Sequence, residues 1–61
     1  MKTTVIEDWN KYLAIASGST RKGKFAVPAW RKGNSHLNVL EVDAEGRQWL
    51  TDNNIKFSVY N

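Results

Sequence analysis

The chain has 61 residues, with nine Lys and Arg against six Asp and Glu, a single His, no Cys and a formal net charge of +3. A chain this short is one domain that buries roughly 60% of the surface its unfolded form exposes, which excludes an elaborate buried active site. The same counts exclude a disulfide framework, a thiolate metal site and a zinc-binding histidine cluster. Three Trp, two Tyr and two Phe supply the large side chains that so small a core needs.

At the N-terminus, Thr4-Val5-Ile6-Glu7 fits a capping box. Ile6, Trp9 and Leu13 then share one helical face, which predicts a helical turn or two. The competing reading is an extra strand through Thr3–Ile6, favoured by β-branched residues. Either way, residues 1–10 are expected to lie on the core, with Trp9 closing one end of it. Residues 12–16 read as a short apolar strand, and a polar loop over 17–23 leads to a second strand over 24–30. There Phe25, Val27 and Ala29 face one side and Ala26 and Trp30 the other, while Pro28 confines the strand to a sheet edge or ends its pairing at a bulge.

Residues 36–43 and 47–51 are expected to form a hairpin across Asp43-Ala44-Glu45-Gly46, with Gly46 supplying the turn. Pairing Asp43 with Arg47 puts Leu40, Val42 and Leu50 on the core face. Glu41, Asp43, Arg47, Trp49 and Thr51 then face away. Leu37 and Val39 are out of phase with Leu40 and Val42, which predicts a bulge near residues 38–40. Residues 51–54 predict a tight turn or one 3₁₀ turn before a final strand, in which Ile55, Phe57 and Val59 alternate with polar partners.

Five short strands, a long polar first loop and a turn before the last strand resemble small SH3-like barrels of the KOW and Tudor kind, over about residues 11–60. The resemblance implies a mostly β fold, a single five-stranded antiparallel barrel over residues 1–61. It rests on element order rather than a motif. The acidic first loop and adjacent tryptophan pair of peptide-binding SH3 domains are missing, which argues against proline-rich ligands. An OB-like barrel is the alternative, although a chain this short leaves little room for it.

No catalytic constellation emerges. His36, Ser17, Ser19 and Ser35 lack the spacing of a nucleophile elbow or metal-ligand helix, so neither an enzyme nor a cofactor is expected. Binding carries the functional reading. Arg21, Lys22, Lys24, Arg31 and Lys32 fall within twelve residues that contain no acid. Together they suggest a phosphate-contacting surface, with Trp30 exposed as a stacking residue, for sequence-independent DNA or RNA binding. In the opposing arrangement Trp30 is buried under the first ten residues. The alternative is docking on a larger protein through Trp49, Arg47 and Glu41, since Trp and Arg dominate binding hot spots. By hairpin parity Trp49 sits among carboxylates, which would favour a protein partner over phosphate. No run approaches the roughly 18–20 apolar residues of a membrane span, nor does a secretory pattern follow Met1, and the cysteine-free chain is expected in the cytoplasm.

Overall fold

The computed structural model describes residues 1–18 and 20–60. The elements in order are β1 (Lys2–Ile6), α1 (Trp9–Ala16), β2 (Phe25–Ala26), a 3₁₀ helix (Ala29–Gly33), β3 (Val39–Val42), α2 (Ala44–Asp52) and β4 (Phe57–Tyr60). The strands form a four-stranded antiparallel sheet in the order β2-β3-β1-β4. Each helix joins two strands that are not neighbours, which makes a doubled split β-α-β plan. This open sheet with two helices replaces the expected five-stranded SH3-like barrel. The barrel reading failed because two segments assigned to strands are helices.

The first is 12–16. Asp8 caps α1, its Oδ1 accepting from the Lys11 N–H at 3.1 Å, and Tyr12 and Ile15 are buried while Leu13 is exposed. That spacing is helical, not alternating. The N-terminal segment is thus both things that competed for it: a strand over Lys2–Ile6 and then a helix capped by Asp8 rather than Thr4. The buried stripe runs through Tyr12 and Ile15; Trp9, 41% exposed, stacks on the Tyr12 ring at 5.4 Å instead of closing the core.

The second is 44–52. Asp43 caps α2 instead of opening a hairpin, with its Oδ1 accepting from the Gly46 N–H at 2.8 Å, and Glu45 in the first turn suits the helix dipole. The helix stops at residues 51–54, where a turn was expected. Asn54 takes φ 57°, and its N–H and that of Ile55 donate to the Thr51 and Leu50 carbonyls at 3.1 and 3.0 Å.

Residues paired across the sheet share a face. Thr4 and Ile6 of β1, Leu40 and Val42 of β3, Phe25 of β2, and Phe57 and Val59 of β4 therefore look toward the helices. Ile6, Leu40, Val42 and Phe25 close the core with Tyr12, Ile15, Leu50 and Ile55. The expected placement of Leu40, Val42 and Leu50 in the core holds, though Leu50 arrives on a helix. Thr4 is 0% exposed, and its hydroxyl donates to the Lys2 carbonyl at 3.1 Å. Val39 is buried on the other face, and the β1–β3 register runs without interruption from Lys2↔Val42 to Val5↔Val39, so no bulge breaks β3 over residues 39–42. The expected strand over 24–30 shrinks to Phe25–Ala26, at an edge as proline requires; the next turn is 3₁₀, with Pro28 at its N-cap. The last strand keeps only Phe57–Tyr60 of the expected 55–60.

Loop, edge strand and helix meet where side chains are absent. A Cβ on Gly46 would lie 2.5 Å from Val42 Cγ1 and 3.0 Å from Phe25 Cε1. One on Gly23, at φ 91°, would strike the Gly46 N and sit 2.7 Å from Asp43 Oδ1. Asp43 uses that proximity: its Oδ1 also accepts from the Lys24 N–H at 3.0 Å, while its own N–H donates to the Lys24 carbonyl at 3.2 Å. The hydrogen bonds from Gly46 and Lys24, ahead of the Lys24 and Arg47 charges, hold the Asp43 carboxyl below its ordinary pKa.

Two predictions follow from this junction. Gly46→Ala, which in an ordinary helix interior stabilises, is expected to destabilise by about 1–3 kcal/mol through overpacking, read as a lower urea midpoint at unchanged m-value. Because the folded Asp43 pKa is depressed, its contribution is complete above the ordinary value of about 3.9 and is lost as pH falls through the lower folded value. Urea midpoints of the protein and of Asp43→Asn should therefore converge toward strongly acidic pH.

Candidate functional site

The cations close in sequence separate by role in space. Arg21 reaches back to the end of α1, where its Nη1 donates to the Ile15 carbonyl at 2.7 Å and its guanidinium lies 5.1 Å from the Phe25 ring centre. Arg31 turns inward. It donates to the Ser35 carbonyl at 2.7 Å and to the Leu37 carbonyl, and its guanidinium lies 4.8 Å from the centre of the Tyr12 ring. Arg47 donates to the Val42 carbonyl at 2.7 Å. All three arginines thus donate to backbone carbonyls of helix, strand or loop, a task suited to a forked donor.

The lysines remain outward. Lys22, Lys24 and Lys32 are exposed, but Asp43 lies against the Lys24 backbone, so the acid-free stretch of sequence is not acid-free in space. Trp30 is 55% exposed on the 3₁₀ helix beside Lys32, which settles its exposure in favour of solvent, although strand parity had nothing to do with it. The residues expected to form one groove therefore divide. Arg21 and Lys22 belong to one surface, and Trp30, Arg31 and Lys32 to a separate turn; Lys24 sits at the Asp43 junction.

The alternative trio also separates. Glu41 accepts from the Thr3 hydroxyl at 2.7 Å on the sheet face opposite the helices. Trp49 and Arg47 stand on α2, with Trp49 edge-on to Phe25 at 6.0 Å. Trp49 therefore does not share a face with Glu41.

Trp49 instead meets Arg21 and Lys22. A cleft of about 210 Å³ runs between α1 and α2, with Ile15, Ile55 and Trp49 in its lining together with Lys11, Arg21 and Asn53. A hollow of about 320 Å³ continues it past Thr20, Arg21, Trp49 and Asn53 to Lys22. Across both, the charged lining residues among those described are Lys11, Arg21 and Lys22, with no carboxylate. The positive stretch ends at Lys11, since Glu7 and Asp8 line the next hollow. Lys11, Thr20 and Asn53 were not singled out in the sequence; read as a helix, residues 9–16 do place Lys11, Ala14 and Ile15 on one side.

Tyr12 underlies the other arginine contact. Burial raises its phenol pKa, with the Arg31 charge partly opposing, and the hydroxyl donates to the Val39 carbonyl at 3.2 Å. His36 and Ser35 occupy an exposed turn, Ser17 donates to the Ala14 carbonyl at 2.8 Å, and Ser19 lies outside the described residues. Among the described residues no group of three or more His, Cys, Asp or Glu could hold a metal ion, and no helix is long and apolar enough to cross a membrane. In comparisons with known proteins, no family model matches the chain, and neither does any curated protein or solved structure.

Arg31 is thus expected to behave as a structural residue. Arg31→Ala should cost about 1.5–3 kcal/mol in urea unfolding, and Arg31→Lys, which keeps the charge but loses the fork, should recover less than half of it.

Proposed function

We propose that this protein binds nucleic acid without sequence preference, through the cleft between α1 and α2. The observation that carries the reading is the company of Trp49: Arg21 and Lys22 beside it, Lys11 across the cleft, and no carboxylate among the described lining residues. A cation-lined groove with an aromatic in it combines phosphate attraction with a stacking surface. Thr20 and Asn53 add neutral hydrogen-bonding groups at the same place. A base reaches Trp49 only when it is unstacked from its neighbours, so unpaired DNA or RNA is the favoured form. The sheet face opposite the helices suits this ligand poorly, because Glu41 lies across it and Tyr60 is its one aromatic on the strands. The cysteine-free chain fits a reducing, cytoplasmic setting.

Docking on a protein is the second reading. It is favoured by Trp9 and Leu13, which stand four residues apart on α1 and are 41% and 47% exposed.

Fluorescence titration with labelled single- and double-stranded DNA and RNA across a salt series tests the proposal. Single strands should bind more tightly than duplexes and weaken as salt rises. Lys11→Ala with Lys22→Ala should reduce the log–log salt slope by about 1.4, the amount expected for two lost single-strand phosphate contacts. Trp49→Phe should weaken binding at every salt concentration. Absence of binding at low salt, or a slope unchanged in the double variant, rejects this site.

A further inference from the structure

The two edges of the sheet are built differently. β2 is two residues long, follows Lys24 and gives way to Pro28, whose nitrogen has no hydrogen to donate. That edge is closed. β4, Phe57-Ser58-Val59-Tyr60, pairs only with β1 and contains no charge, proline or glycine. Along any strand the backbone donors and acceptors alternate sides, so half of those in β4 point away from β1.

The side chains on this edge are also short of cover. Val59 sits opposite the fully buried Thr4 yet is 40% exposed, because the core layer ends before it. Tyr60, on the other face, is 57% exposed. An uncharged edge with apolar groups on both faces invites another strand.

We infer that β4 pairs with β4 of a second copy of this chain, antiparallel about a two-fold axis, to give a continuous eight-stranded sheet with all four helices on one face. The axis keeps the helix faces aligned, so facing residues must share a side. A register with Ser58 opposite the partner's Ser58 satisfies this. It sets Phe57 against the partner's Val59, an aromatic with a β-branched residue, and brings Lys56 toward the partner's Tyr60 ring. No like charges meet inside the strand pair although each copy carries +3 overall. The pairing is independent of the cleft, whose lining lies in α1, α2 and the loops that follow them.

Light scattering with size-exclusion chromatography, and sedimentation equilibrium over a wide concentration range, should show a monomer–dimer equilibrium for the protein. Ser58→Lys and Ser58→Glu each place like charges face to face and should raise the dimer Kd by tenfold or more, while an equimolar mixture of the two should restore dimers. Ser58 is exposed, so both variants are expected to keep the circular dichroism spectrum and urea midpoint of the monomer. A protein monomeric at all concentrations overturns the inference. So does a dimer indifferent to both variants, or a mixture that stays monomeric.

Discussion

The Asp43 carboxylate is the point at which the two halves of the chain are tied. One oxygen starts α2 through the Gly46 N–H and fixes the beginning of β2 through the Lys24 N–H. The contact exists only because Gly23 and Gly46 carry no Cβ, so the chain at Gly23 and the first turn of α2 approach backbone to backbone. Phe25 can then lie over Gly46 and receive Trp49 edge-on from one side while Arg21 approaches its ring from elsewhere. The cleft inherits its shape from this arrangement, since Arg21, Lys22 and Trp49 are positioned by the same junction.

A second rule governs the charges. Arginine faces inward onto carbonyls and lysine faces outward. The Arg21 and Arg31 guanidinium groups donate to carbonyls at the end of α1 and in the loop before β3 while lying over the Phe25 and Tyr12 rings. The outward lysines are hydrated point charges on flexible stems, which suit the proposed phosphate ligand better than a fixed hydrogen-bonding pattern would. If the proposed ligand is right, such a surface would read charge and spacing more than sequence.

The sequence made some of this legible. Leu40, Val42 and Leu50 are recognisable as core, Pro28 as the end of an edge strand, and 51–54 as a stop, because each follows from local chemistry. The helices were hidden by particular residues. Asp43-Ala44-Glu45-Gly46 serves equally as a turn and as a capped helix start, and the approach of Phe25, distant in sequence, together with the Val42 side chain explains a glycine inside the helix. In α1, the exposed Trp9 and Leu13 drew the apolar stripe to the wrong side, so that Tyr12 and Ile15 looked like strand residues. The proposed binding surface was half legible for the same reason. Arg21, Lys22 and Trp49 stand out by type, but their meeting requires α2 to be a helix, and the inward turn of Arg31 depends on a Tyr12 ring that only α1 brings into reach.

β1 lies between β3 and β4, the last two strands in chain order. β1 is therefore an interior strand whose two edges are filled, one after the other, by segments more than thirty residues further along the chain. Such non-local pairing slows folding relative to a helical bundle of equal size. Residues 57–60 thus act as the cover of the outer edge of β1, which without them would offer its backbone donors and acceptors to any strand that met it.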